Sequence, residues 1–410
     1  MMESLTHEQI LKKIAEHNAS LRSKIQKIFR IAGDRILSDA SLFLSPEQKK
    51  LVHDIQQCRT SSCGFHIDLC MECGTTKFSY NSCGNRNCPV CGTWKTEAWI
   101  DVRSSEVIDA PYYHAVFTCP HELSPLILAN QKFLYALYQK CVGAAITELS
   151  ADKKYLGAMP GVILVLHTWN QELLYHPHIH ALISGGGLAP DGSLRILDTD
   201  SFFIPESVLA ALFRGKFLAS LEKAWKAGKL VLDGENEKLR NSYAWNKFRN
   251  SLYQKKWVAY VKETFNGKGN AIEYLGRYIF RAAISDYRIL NVTENLVTIT
   301  ARGSDGTQSR NVSMTPEEFV KRFLLHVLPK GFQKVRYYGF LANGVRKDRL
   351  TRIFNLQGGR KYLQKYKGMN AAGIILARFH KDIRSCPCCG KRGSLVPVYG
   401  KTRLEMNRAG

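Results

Sequence analysis

Apolar positions Ile10, Ile14, Leu21, Ile25, Ile28 and Phe29 recur at near-helical spacing, which predicts a mainly helical stretch over residues 1–50. From Tyr112 the pattern turns to strand, Tyr113-His114-Ala115-Val116-Phe117-Thr118, and stops at Cys119-Pro120. A helix is predicted from about Ser124 to Leu149. The unbroken apolar run Gly161-Val162-Ile163-Leu164-Val165-Leu166 reads as a buried strand within Val162–Trp169. A polar turn and a second strand, Ile179–Ser184, follow, with a stop at Gly185-Gly186-Gly187. Two strands joined by so short a loop make an antiparallel hairpin. Helical patterns return around Ser207–Lys226 and from Ala271. Residues 290–312 alternate like exposed strands (Val292, Leu296, Val297, Ile299), with Gly303-Ser304-Asp305-Gly306 as a turn. Thr315-Pro316-Glu317-Glu318 is a helix start, with an N-cap threonine, Pro at N1 and a capping-box glutamate.

A chain of 410 residues can bury a proper core in about two to three domains. Its formal net charge of +23 points to a polyanionic partner, nucleic acid before an anionic membrane. The run at 161–166 is too short to span a bilayer, and Met1–Asp39 is a charged helical pattern without a signal peptide's apolar core. An intracellular, cytoplasmic location is therefore expected, where the 12 cysteines are reduced, metal-bound or catalytic. Beyond Arg346 the chain is dense in Lys and Arg.

Two Cys-x-x-Cys knuckles, Cys70/Cys73 and Cys88/Cys91, offer four thiolates for one tetrahedral zinc. Cys58, Cys63, His66 and Cys83 form a candidate second zinc set, with His53 just outside it; buried cysteines and a surface histidine explain those positions equally well. A site closed by thiolates has no open position for substrate, so this module is structural, with Arg59, Lys77, Arg86 and Lys95 available to touch DNA. Cys386-Pro387-Cys388-Cys389-Gly390 looks like half of another knuckle. No partner knuckle follows it, His380 is one further donor, and an incomplete ribbon is expected there.

His178 and His180 alternate on a strand, so both imidazoles project to one side and can reach a single metal ion. If the preceding strand pairs back antiparallel, His167 falls close to opposite His178 and is the natural third ligand; Gln171 and Glu172, in the turn, are its rivals. Two or three imidazoles leave positions open where a divalent ion can act as Lewis acid on a phosphate. Tyr274 and Tyr278 share one face of a helix, ~5–6 Å apart at Cβ, with Arg277 and Arg281 beside them. Cations lower a phenol's pKa, and guanidinium groups grip phosphate in bidentate fashion. A metal beside such tyrosines can break and rejoin a DNA phosphodiester through a covalent phosphotyrosine. Tyrosines at this spacing are otherwise ordinary core residues; the histidine pair is what directs them to chemistry. His176 reads as an exposed loop residue, His114 as a core or surface residue with lining of the cleft as its alternative, and His326 as structural. Aromatic and basic residues interleave from Arg336 and Tyr337 through Arg346 and Lys347, a mixture suited to stacking bases and binding phosphates of single-stranded DNA, or to a solvated basic face.

Ser82-Cys83-Gly84-Asn85-Arg86-Asn87-Cys88-Pro89-Val90-Cys91, Val116-Phe117-Thr118-Cys119-Pro120-His121-Glu122-Leu123, Leu166-His167-Thr168-Trp169-Asn170-Gln171, His176-Pro177-His178-Ile179-His180 and Tyr274-Leu275-Gly276-Arg277-Tyr278 stand in this order, followed by Phe323–Phe332 and Arg336-Tyr337-Tyr338-Gly339. With these strings the chain resembles, nearly end to end, the IS91-like rolling-circle transposases, two-tyrosine members of the HUH endonuclease superfamily. The resemblance implies an α+β fold: an HUH nuclease domain (105–312) on a central antiparallel sheet flanked by helices. A helical segment (1–50) and a zinc-binding domain (51–100) precede it, and a basic DNA-binding region (313–410) follows. It also implies an enzyme that nicks single-stranded or hairpin element ends, holds the 5′-phosphate on Tyr274 or Tyr278, and frees a 3′-OH for joining to target DNA. Mg²⁺ or Mn²⁺ would serve catalysis and Zn²⁺ the structure; assembly into a homo-oligomer is compatible with this reading. Asn87 stands where family members commonly carry His, so either Cys63 substitutes as zinc ligand or the second zinc is absent. The rival readings are a replication initiator or relaxase with the same chemistry, and a zinc-dependent DNA-binding regulator without catalysis.

Overall fold

The computed structural model describes all residues except 1–22, 90, 92, 198–202, 264–275, 277–282, 304–307, 360–362 and 403–410. It opens with helices α1 (Lys24–Ser38) and α2 (Pro46–Gln57), each N-capped by a serine, Ser23 and Ser45. Of the predicted helical positions, Ile25, Ile28 and Phe29 are fully buried; Ile10, Ile14 and Leu21 lie outside the described residues. A hairpin of β1 (Gly64–Cys70) and β2 (Thr76–Tyr80) follows, then α3 (Thr93–Ser104).

The next strands are β3 (Tyr112–Thr118), β4 (Met159–Trp169), β5 (Tyr175–Leu188), β6 (Leu194–Ile196) and β7 (Val258–Glu263). They are separated by α4 (Ser124–Ala129) and α5 (Gln131–Ala151), and by α6 (Glu206–Lys226) and α7 (Ser242–Tyr253). The single helix predicted over 124–149 is broken at Asn130, because its side chain bonds both backbone groups of Val231 and the Leu126 carbonyl. Farther along come β8 (Ile289–Val292), β9 (Val297–Arg302) and β10 (Ser309–Met314), then α8 (Pro316–Leu324), capped by Thr315. The last elements are β11 (Val335–Gly339), α9 (Arg346–Leu356), α10 (Ala371–Phe379) and β12 (Leu395–Thr402).

The central sheet is antiparallel with strand order β11-β4-β5-β3-β7, and β6 pairs on β5. Alternation divides its faces. Ala115, Phe117, Val162, Leu164, Leu166, Ile179, Ala181 and Ile183 join Tyr138, Phe213 and Phe217 of α5 and α6 in the largest core. Ile163, Val165 and Leu182 point the other way, against Ile100, Phe340, Leu350 and Ile353. A strand covered on both faces has no polar alternation, hence the unbroken apolar run in β4. The strands β8–β10 form a separate antiparallel sheet whose inner residues pack with α1, α2 and α8 in a second core.

The C-terminal region does not stand apart as the domain reading expected. β11 covers the outer edge of β4, satisfying backbone groups that would otherwise face solvent, while β12 pairs antiparallel with β1. The turn after β11 needs glycine: Gly339 has φ 63° and its Cα lies against the Pro160 carbonyl, where no Cβ fits. Among the described residues no helix is long and apolar enough to cross a membrane.

The tip of the β4–β5 hairpin is pinned in the second core. Leu173 there has φ 63°, a conformation costing about 1–2 kcal/mol for an L-residue. Its side chain is fully buried, which returns about 2 kcal/mol and offsets the strain. His326 fastens the same tip: Nε2 donates to the Leu173 carbonyl at 3.0 Å, leaving Nδ1 to accept from Thr168 Oγ1 at 3.2 Å. Burial holds this imidazole neutral, its pKa lowered to about 4. Since the unfolded chain protonates near 6.5, the contribution of His326 is fully present above that value and is lost as pH falls toward 4, by up to about 3 kcal/mol. Denaturant unfolding of His326→Gln across pH 8 to 4 should show lower stability at pH 8 and a shallower acid decline than the parent. Parallel curves would refute this assignment.

Candidate active site

The register between β4 and β5 places His167 opposite His178, and alternation places His180 on the same face. Ligand-capable nitrogens of His167, His178 and His180 all lie within 4.8 Å of one another. The two Nε2 atoms of His178 and His180 are 3.1 Å apart. His178 Nδ1 donates to the His176 carbonyl at 2.8 Å, so its Nε2 carries the lone pair. His180 Nδ1 is 2.8 Å from His114 Nε2, with the two rings parallel within 5°. When His180 donates from Nδ1 to His114, both Nε2 lone pairs converge on one point, an arrangement that a cation relieves. Desolvation by burial lowers the pKa of His178 to about 4 and that of His180 well below the usual imidazole value. His178 and His180 are thus available as neutral ligands.

His114 is the residue that a reading of the sequence as core or surface missed. The signal was present: Val116 pairs with His180, so His114, two residues away, shares that face. Of the rivals to His167, Glu172 pairs with Arg310, and Gln171 is exposed in the turn, its carbonyl accepting from Arg288.

Beside the histidines lies a cleft of about 400 Å³ lined by Trp99, Trp169, Lys334 and Tyr337, among others. Trp169 stacks on His167 with centroids 4.5 Å apart, and Lys334 Nζ stands 5.1 Å from the Trp169 ring centre. Desolvation, then the nearby Arg86, lowers the Lys334 pKa to about 7. No sequence pattern marked this lysine; it lies in a loop and reaches the cleft because β11 fixes the next residue. Tyr274, Arg277, Tyr278 and Arg281 lie outside the described residues. Gly276, between them, is helical, and its Cα abuts Ile100 so closely that no Cβ fits, with Trp99 next to it.

The cysteines group otherwise than their spacing suggested. Cys58, Cys83, Cys88 and Cys91 converge, and so do Cys70, Cys73, Cys386 and Cys389. The two adjacent knuckles cannot meet, because β1 with its 7 residues separates the hairpin tip from its base by roughly 20 Å. Cys58, at the end of α2, completes the base quartet, so Asn87 vacates no ligand position. Cys63 instead donates to the Gln57 carbonyl, and His66 bonds Asn81. The C-terminal knuckle is not an orphan; its partner precedes it by most of the chain.

Several residues expected to touch DNA are engaged internally. Arg86 donates to the carbonyls of Leu328, Pro329 and Phe332. Tyr337 accepts from Trp99 and lies between the guanidinium groups of Arg103 and Arg346, and Arg346 also pairs with Glu106. Lys95, Arg336 and Lys347 are exposed.

Comparison with known proteins gives this site its setting. A family described as "Transposase zinc-binding domain" matches residues 28–119, and one described as "Putative transposase" matches residues 161–349. "Putative transposase y4qJ" of Sinorhizobium fredii is 33% identical over 389 residues, covering 92% of this chain and 94% of that protein. The chain belongs to this transposase family. The transposase for insertion sequence element IS801 of Pseudomonas savastanoi is 27% identical, covering 72% of this chain and 68% of that one. Among solved structures, the conjugative relaxase TrwC in complex with oriT DNA aligns over 40% of this chain and 69% of its own, at 15% identity and a TM-score of 0.23, too loose a likeness to build on. The histidine hairpin lies inside the transposase match, and the Cys58 quartet inside the zinc-binding match; Cys386 and Cys389 lie outside both.

Replacing His114 with Leu in the transposase removes the partner of His180 Nδ1. Mn²⁺ affinity, read by calorimetry, is expected to fall by roughly 10–100-fold, with His114→Gln recovering part of it. Unchanged affinity in His114→Leu would exclude the orienting role.

Proposed function

We propose that this transposase nicks and rejoins single-stranded DNA at element ends by transesterification through a 5′-phosphotyrosine, with DNA ends and target DNA as its partners. The observation that carries the reading is the convergence of the His167, His178 and His180 nitrogens beside the cleft lined by Trp99, Trp169 and Lys334, upstream of the Tyr274-Leu275-Gly276-Arg277-Tyr278 string. Three converging imidazoles suit a divalent metal, and Mg²⁺ or Mn²⁺ bound there would polarise the scissile phosphate and template its orientation. A purely nitrogenous donor set favours Mn²⁺ over Mg²⁺.

The chain's own residues supply the rest. The phenol oxygen of Tyr274 or Tyr278, its proton released to water, attacks phosphorus, the bond from phosphorus to the 3′ oxygen breaks, and that oxygen leaves as a protonated 3′-OH. The phosphate stays on tyrosine, and attack by a second 3′-OH reverses the exchange. Arg277 and Arg281 bind the remaining phosphate oxygens. Lys334, poised over Trp169 with a pKa of about 7, supplies positive charge beside the reacting phosphate and a proton for the departing oxygen. Trp169 and Trp99 offer surfaces on which bases stack. Exposed Lys95, Arg336 and Lys347 extend the phosphate track, and the +23 net charge gives steep salt dependence.

A labelled single-stranded oligonucleotide carrying the element's end, incubated with Mn²⁺, should yield an SDS-resistant protein–DNA adduct, at lower metal concentration than with Mg²⁺. The adduct should vanish in His178→Ala and in the Tyr274→Phe, Tyr278→Phe double variant. Persistence in the double variant would sink the nucleophile assignment; absence of adduct on every end sequence would favour a non-catalytic DNA-binding regulator.

A further inference from the structure

We propose that Cys70, Cys73, Cys386 and Cys389 bind a structural zinc ion of their own, distinct from that of the Cys58 quartet, which clasps the last described strand to the N-terminal module. The two half-sites are built alike. In each, the amide of the glycine after the second cysteine donates to the carbonyl of the first: Gly74 to Cys70 at 3.0 Å and Gly390 to Cys386 at 3.1 Å. In each, the amide of the first cysteine donates to the residue five positions on, Cys70 to Thr75 at 2.8 Å and Cys386 to Lys391 at 3.0 Å. Gly74 and Gly390 share the left-handed conformation, with φ of 72° and 71°. Two such turns present their sulfurs to one point.

The sulfur separations identify what fits there. Cys70 Sγ is 3.7 Å from Cys389 Sγ, and Cys73 Sγ is 3.6 Å from Cys386 Sγ. A disulfide requires about 2.05 Å, whereas a tetrahedron with Zn–S bonds of about 2.3 Å has edges of about 3.8 Å. Four thiolates and no open position make the site structural. Packing explains the need: the sheet of β12, β1 and β2 has only Phe65, Ile67, Tyr80 and Phe78 in one small cluster, and Cys70, Cys386 and Leu395 in another. Val396, Val398 and Tyr399 of β12 remain exposed. Burial on that scale cannot hold a distant strand in register, and small modules of this kind depend on a metal or another staple. Ahead of Cys386 in the chain, α10 is tied to α3 through Arg378 and Glu97 at 3.0 Å, and α3 carries Trp99 to the cleft.

Zinc counted by mass spectrometry in a His178→Ala, His180→Ala background, which removes the histidine site, should give one ion per cysteine quartet, two per chain. Cys386→Ser with Cys389→Ser should lose one ion, Cys70→Ser with Cys73→Ser should lose one, and all four together should still lose only one. Retention of both ions in the Cys386, Cys389 variant, loss of both in the fourfold variant, a parent holding one ion, or iron in place of zinc would each overturn the proposal. A second measurement uses the unsubstituted chain, independent of how the variants fold. Cys73, Cys388 and Cys389 are all exposed, yet iodoacetamide should modify Cys388 at once and the other two only after a chelator withdraws the metal. Prompt modification of all three would equally overturn it.

Discussion

Sliding β5 by one residue along β4 would turn His178 and His180 toward the larger core and put Ile179 opposite His167. The observed register is held from several sides. Ile179, Ala181 and Ile183 are committed to the larger core, and the hairpin tip is fastened through Leu173 and His326 to a different core. β3 fixes the far edge, pairing Val116 with His180. The same pairing supplies His114, so the contact that orients His180 is a by-product of the one that sets the sheet.

That dependence accounts for how a cluster of imidazoles is tolerated in a basic protein. Buried charge would be costly, and burial resolves the matter by keeping the rings neutral. The cleft then holds donors on one side and cationic groups on the other, with Lys334 near its neutral point. Arg86, Arg103 and Arg346 have their charges spread over carbonyls, an aromatic ring and Glu106, so much of the positive charge near the cleft shapes its wall.

Local patterns were legible to the extent that they were local. The strand 112–118, the hairpin partners, the helix from residue 206 and the Thr315 cap all follow from periodicity and turn chemistry, and His167 followed from assuming an antiparallel pairing. What one sequence cannot display is which distant segments meet. The knuckle at Cys70 is near Cys88 along the chain but across a strand length in space, and its true neighbour, Cys386, lies at the other end. β11 looked like part of a basic tail because its role as an edge strand is defined by β4. Asn130 looked helical because the loop it binds, at Val231, gives no sign of itself in the neighbouring residues. The tyrosine string drew its meaning from the histidine pair ahead of it, and of its five residues only Gly276 is described.

The pairing of β1 with β12 has a consequence for how such a protein comes to be made. A ribosome releases β1 early, and its partner strand emerges only after more than three hundred further residues. Throughout that interval the hairpin has an open edge and two thiols awaiting completion, a contact of very high sequence separation that folding reaches late. A copy of the gene interrupted before residue 386 would therefore yield a chain whose catalytic sheet could form while its N-terminal module stayed unfinished. Final assembly of that module thus reports that translation has passed β12, a form of quality control written into the order of the strands.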